Sequence, residues 1–99
     1  MTIDLLKNDA AATLKLAGRL DTMTAPELEA TVNGLDDAVT DLVIDMTGIE
    51  YISSAGLRVL LGAQKKMSKV GSLKLTGVND AVMEVFEITG FSDILTIEG

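Results

Sequence analysis

Residues 41–76 carry the pattern that most limits what this chain can fold into. Asp41-Leu42-Val43-Ile44-Asp45-Met46 is short, β-branched and apolar at most positions, which reads as an interior strand covered on both faces. Thr47-Gly48-Ile49-Glu50 then turns the chain out of the sheet, and Tyr51-Ile52 leads into Ser53-Ser54. From there Leu57, Leu60, Leu61, Gln64 and Met67 recur at helical spacing until Gly71 ends the run. Ser72-Leu73-Lys74-Leu75-Thr76 alternates as the next strand. Strand, helix, strand is a right-handed crossover between parallel neighbours. Sites in such sheets collect just past the C-terminal ends of the strands, and Ser53 and Ser54 stand at one of those ends.

The flanking segments extend the same α/β pattern. Residues 3–7 and 12–17 read as a hairpin turning at Asn8-Asp9-Ala10, with Leu14 and Leu16 alternating against Thr13 and Lys15. Gly18-Arg19-Leu20-Asp21 leaves the sheet. Thr24 and Glu27 have the spacing of a capping box, Pro26 falls in the first turn, and Met23 with Leu28 has that of a hydrophobic staple. Leu28, Val32 and Leu35 form one apolar stripe while Glu27, Glu29 and Asn33 face away. This helix is expected to fade over residues 34–37. Val78-Asn79-Asp80-Ala81 caps another helix running through Ile88, with Val82, Val85 and Phe86 as its buried face. Gly90 stops it, Phe91 covers its end, and residues 94–97 make a last short strand.

At 99 residues the chain holds one core, so residues 1–99 are expected to form one domain. Hydrophobic residues at 47% exclude disorder. No apolar run spans a bilayer, and no basic-then-apolar leader suggests export. The lack of cysteine fits a reducing cytoplasm. A net charge of −7 disfavours nucleic acid and anionic lipid as partners.

Chemistry is narrowed by what is missing. Without histidine or cysteine there is no Ser-His-Asp or Cys-His set and no His/Cys metal site. Neither a Walker loop nor Gly-x-Gly-x-x-Gly occurs, so no cofactor is expected. A phosphorylated receiver would need an acidic cluster after its first strand, where only Asp9 stands; Asp36-Asp37 lies at a helix end. No carboxylate pair has the spacing of a general acid and base, so enzymatic activity is not expected.

The two serines remain. A helix start leaves N–H groups unpaired, so a serine oxygen caps it well and an added anion is tolerated. Capping accounts for one serine and leaves the other a polar loop residue; a phosphate on either would change what a partner meets. Gly56 permits close packing in the first turn. Asp21 is either an Asx-type turn residue or an acidic group near the serine loop. Met23, Met46, Met67 and Met83 read as core filler. Arg58, Lys65, Lys66 and Lys69 all fall on the helix that the serines open, either complementing its dipole or facing a partner.

With these residues in view, the chain resembles a STAS domain of the anti-sigma-factor antagonist family. The resemblance rests on Gly-Arg-Leu-Asp-Thr before the first helix, Asp-Leu-Val-Ile-Asp-Met, and Ile-Ser-Ser-Ala-Gly-Leu-Arg-Val-Leu-Leu. Gly77-Val78-Asn79 and the Thr-Gly-Phe at 89–91 also fit. It implies a mixed sheet of four or five strands with helices mainly on one face. It implies a cytoplasmic protein that binds an anti-sigma factor which is also a serine kinase, freeing the sigma factor. Phosphorylation of one serine at the helix start ends the capture, and a serine phosphatase restores it. Counting back from Gly56-Leu57, the acceptor is Ser54, with Ser53 the alternative. The implied partner surface is Asp21, Ser53, Ser54, Ala55, Gly56 and Arg58. Two positions depart from the family pattern: Ser53 stands where Asp is frequent, and Ala55 where Ser or Thr is frequent. A constitutive STAS docking subunit of a lipid-transport or stress-signalling complex, without phosphorylation, is the alternative role. No membrane insertion is implied by either.

Overall fold

The computed structural model describes residues 1–36 and 38–98. The strands are β1 (Thr2–Asn8), β2 (Ala11–Leu20), β3 (Asp41–Ile52), β4 (Ser72–Thr76) and β5 (Ile97–Glu98). The helices are α1 (Ala25–Asn33), α2 (Ser54–Ser68) and α3 (Asp80–Thr89), with a single 3-10 turn at Phe91–Asp93. The sheet order is β1-β2-β3-β4-β5, with β1 antiparallel to β2 and every later pair parallel. Each parallel step moves one place along the sheet in the same direction. A right-handed crossover at each step therefore leaves all three helices on one face.

Period-two alternation builds the core under those helices. Ala12, Leu42 and Leu73 lie in register across β2, β3 and β4, as do Leu14, Ile44 and Leu75, and all are buried. Leu28 and Val32 of α1, Leu57, Leu60 and Met67 of α2, and Val82 and Phe86 of α3 close over them. The intervening rows, Thr13-Val43-Lys74 and Lys15-Asp45-Thr76, face the uncovered side and none is buried. The expectation that β3 is covered on both faces is thus corrected. Its second face carries Val43 and Asp45 against solvent, and the one-faced mixed sheet is what forms.

β3 also runs six residues further than its sequence pattern suggested, to Ile52 rather than Met46. Its register with β2 shifts twice, between Lys15 and Ala17 and between Gly18 and Arg19, and each shift inserts an extra residue into β3. The first bulge rotates the strand so that Ile49 follows Met46 into the core, and the second does the same for Ile52. A broken period reads as a turn. At the first bulge a Cβ on Gly48 would stand 2.8 Å from the Leu16 carbonyl oxygen and 2.9 Å from the Ala17 Cβ, so only glycine fits. For the same reason β2 continues through Leu20 instead of leaving the sheet at Gly18.

The helix ends differ from their sequence expectations in instructive ways. Thr24 occupies the cap position of α1 but makes no side-chain cap bond. Its own N–H donates to Asp21, and its hydroxyl donates to the Arg19 carbonyl at 2.7 Å, so no capping box with Glu27 forms. Met23 is 86% exposed beside a fully buried Leu28, so the staple is absent and Met23 is not core. Met46 and Met67 are buried, and Met83 packs against the core. Asp37, at the end of the expected α1 fade, lies outside the described residues. In α2, Val59 and Ala63 are buried while Leu61 and Gln64 are half-buried, because this helix packs on α1 as well as on the sheet. It stops at Ser68, ahead of Gly71. Gly90 adopts φ 81° at the end of α3, the left-handed stop expected of glycine, and Phe91 packs on the core. Val85 is half-buried rather than buried. Past the 3-10 turn the chain keeps turning, with the N–H groups of Ile94 and Leu95 donating to the Phe91 carbonyl at 3.0 and 2.8 Å, so the expected strand at 94–97 shortens and β5 pairs only from Ile97.

Asn79 caps α3 as its position predicts. Its Oδ1 accepts from the Val82 N–H at 2.8 Å, and its Nδ2 donates to the Ile49 carbonyl at 2.9 Å. One side chain thereby fixes α3 to the bulged part of β3. Asn79→Ala is expected to cost about 1–3 kcal/mol, since it removes a cap and leaves a strand carbonyl without its partner. Urea unfolding measures this; a loss under about 0.5 kcal/mol would contradict the account.

Candidate functional site at the start of α2

Leu20 and Ile52 end adjacent parallel strands in direct register, so Asp21 and Ser53 leave the sheet side by side. The Ser53 N–H donates to the Leu20 carbonyl at 2.9 Å, carrying the ladder one bond further. Ser53 is extended (φ −103°, ψ 175°), and its carbonyl accepts from the Leu57 N–H at 3.0 Å to begin α2. A Cβ on Gly56 would stand 2.7 Å from the Leu20 Cγ and 3.0 Å from both the Ile52 Cγ1 and the Leu20 carbonyl oxygen. Only glycine lets the first turn of α2 lie this close to the sheet.

The two serines occupy different environments. Ser53 is the cap by position, yet its hydroxyl makes no cap bond; Oγ is buried and has no partner among the described residues. Ser54 is the first residue of α2 and is exposed. The first turns of α1 and α3 each carry an acidic side chain, Glu27 and Asp80, whereas that of α2 carries none. The N-terminal donors of α2 thus have no carboxylate of their own helix near them. Arg58 is exposed one turn after Ser54, on the same side of the helix, and joins none of the ion pairs among the described residues.

Asp21 is held in its own turn. Its Oδ1 accepts from the N–H groups of Met23 at 3.0 Å and Thr24 at 3.2 Å, the Asx-type turn, while Oδ2 lies 3.7 Å from Arg19 Nε. Desolvation works to raise its pKa but is outweighed by the Thr24 and Met23 N–H groups, the Thr24 hydroxyl and Arg19, leaving it below the usual carboxylate value. A depressed folded pKa gives stability that is present above the unfolded value of about 3.9 and lost as pH falls through the folded one. Asp21→Asn is therefore expected to lower the urea midpoint at neutral pH and to match the wild type once the carboxyl is protonated. A deficit that persists unchanged into acid would contradict this.

Three features of the molecule were not read from the sequence. The Arg19 guanidinium stacks 4.5 Å from the Tyr51 ring centroid, a cross-strand pair hidden by the second bulge. Lys66 donates to the Val32 carbonyl at 2.8 Å and so caps the neighbouring helix α1, which ties that cation to structure. Between α1 and α2, a groove of about 250 Å³ opens beside Ala55 and Arg58. Among the described residues, no group of three or more Asp or Glu side chains is placed to hold a metal ion, and no helix is long and apolar enough to cross a membrane.

Known proteins resemble this chain in sequence and in fold. A family model described as "Mlab, STAS domain" matches residues 3–96. The anti-sigma-B factor antagonist of Bacillus subtilis (strain 168) is 33% identical over 98 residues, which are 98% of this chain and 90% of that protein. The crystal structure of an anti-sigma factor antagonist from Mycobacterium paratuberculosis has a TM-score of 0.84 at 24% identity, covering 97% of this chain and 83% of that one. The phosphorylated form of the Bacillus cell fate determinant SpoIIAA has a TM-score of 0.77 at 19% identity, covering 99% and 92%. These two structures speak to the fold. With the family match and the Bacillus subtilis relative, the chain belongs to the STAS-domain family, among the anti-sigma-factor antagonists.

Proposed function

We propose that this protein antagonises an anti-sigma factor, capturing it through the start of α2, and that phosphorylation of Ser54 ends the capture. The observation that carries the choice of residue is the contrast in exposure: Ser54 is exposed at the first position of α2, while the Ser53 hydroxyl is buried. A kinase reaches the first without unfolding the helix. Ser53 becomes the support beneath it, and Ala55 and Arg58 complete the surface; buried Gly56 holds the turn that presents them close to the sheet, and Asp21 shapes the adjoining turn from below.

The switch is electrostatic. A phosphate brings roughly −1.5 to −2 of charge and three acceptor oxygens. In the free protein the N-terminal donors of α2 and the Arg58 guanidinium, one turn away, receive that charge. At an interface built around a neutral hydroxyl, the same group meets repulsion and loses its water without matching partners. The anti-sigma factor is then the serine kinase that adds the phosphate, and a separate phosphatase removes it. The protein itself is a binding module in the cytoplasm, with no catalytic role. Its charge of −7 keeps nucleic acid and anionic membranes out of the partner set.

A second reading, constitutive docking in a larger assembly, is favoured by Ser53 standing where the family frequently carries Asp. Mixing the protein with an anti-sigma factor from its own organism, with and without ATP, separates the two on a sizing column. The switch predicts a complex that ATP dissolves; a complex indifferent to ATP supports constitutive docking, and no complex overturns both.

A further inference from the structure

Gly62 stands in the middle of α2, exposed, and a Cβ placed on it would meet nothing within 4 Å among the described residues. Glycine is the poorest helix former after proline. At Gly56, close packing on Leu20 offsets that cost; at Gly62 no contact among the described residues does. The space in front of Gly62 belongs to a shallow cleft of about 90 Å³ between α1 and α2. The cleft shares Glu29 and Val59 with the larger opening of about 250 Å³ that reaches Ala55 and Arg58. The two form one groove running down from the serine site.

We propose that this groove receives a helix of the same anti-sigma factor that reads Ser54, with Gly62 as the point of closest approach. The inference rests on the function proposed above and extends its surface. The groove walls are two helices whose backbone groups are already bonded within each helix, so an extended strand would find no main-chain partners there. A helix needs none and packs its ridges into such a groove. Ser54 and Gly62 are about 12 Å apart along α2, so a partner of ordinary interface size covers both. Glu29 on α1 and Arg58 on α2 line the opening and pair with nothing among the described residues. The docking helix accordingly presents a small or apolar seam to Gly62, a basic side chain to Glu29 and an acidic one to Arg58.

Calorimetric titration of the intact anti-sigma factor with wild type, Gly62→Ala and Gly62→Leu tests this. Gly62→Ala raises the melting temperature by about 4–8 °C, because alanine favours the helix and meets no clash. It nonetheless weakens binding about tenfold, as an added methyl does in a close-packed interface, and Gly62→Leu weakens it further. Ile88→Ala, at a 77% exposed position on α3, binds like wild type. Binding of Gly62→Ala within twofold of wild type, with the ATP response intact, overturns the groove and leaves the proposed function standing. Loss of self-association in Gly62→Ala, with capture unchanged, overturns it in favour of a second copy of this chain. Failure of the wild type to bind removes both.

Discussion

Ser54→Asp binds the anti-sigma factor two to three orders of magnitude more weakly than wild type, while its amide spectrum keeps the dispersion of a folded protein. The expected loss follows from placing a charge where the interface was built around a hydroxyl; disrupted buried polar contacts of this kind cost about 2–5 kcal/mol, and each 1.4 kcal/mol is tenfold. The fold survives because the charge sits at the first position of α2, where the helix donors favour it and Arg58 lies one turn on. Ser54→Ala gives the complementary result: it binds as tightly as wild type and no longer responds to ATP. Ser53→Ala removes a buried, unpartnered hydroxyl, so it is expected to be near neutral or slightly stabilising and to leave the ATP response in place. A Ser54→Asp variant that binds normally would remove Ser54 from the interface. Collapse of its spectral dispersion would show that the effect is unfolding.

Leu20→Ala is the other large effect. Leu20 is fully buried at the end of β2, its carbonyl accepts the Ser53 N–H at 2.9 Å, and its side chain lies directly beneath Gly56. Truncating a buried leucine costs about 2–5 kcal/mol through lost transfer energy and the cavity left behind. A domain of this size has about 5–15 kcal/mol in total, so the loss is a large part of its stability. Gly56→Ala is destabilising on its own, because its Cβ has no room beside Leu20. In the double variant, the methyl at 56 enters the space left at 20. The two changes together then cost less than their sum, with a coupling of about 0.5–3 kcal/mol. The Leu20 carbonyl oxygen and the Ile52 Cγ1, each 3.0 Å from the same Cβ position, keep the relief partial. Strict additivity in urea unfolding would contradict direct packing of α2 on Leu20.

The place of the two serines at the start of α2 was legible in the sequence because its signals are local. Two hydroxyls before a helical period mark a helix start, and the small residue behind them marks close packing. Parallel-sheet topology adds the C-terminal edge. The same locality failed wherever a second residue competed. Thr24 and Glu27 have the spacing of a capping box, but Asp21 already holds the Thr24 N–H, and nothing between residues 24 and 27 reveals that. The far half of β3 was hidden because two bulges each rotate the strand, so Ile49 and Ile52 enter the core out of phase. Asp21 was left open between a turn residue and an acidic group near the serines, and two backbone hydrogen bonds to Oδ1 place it in the turn. Gly62 could not be read at all, since its meaning lies in the empty space beside it.

Phosphopeptide mass spectrometry on the protein isolated from its own cells, covering residues 51–58 in growth and under stress, tests the central claim most directly. The account predicts phosphate on Ser54, varying between the two conditions, and none on Ser53. Phosphate on Ser53 would contradict the burial argument, and phosphate on neither serine would contradict the switch.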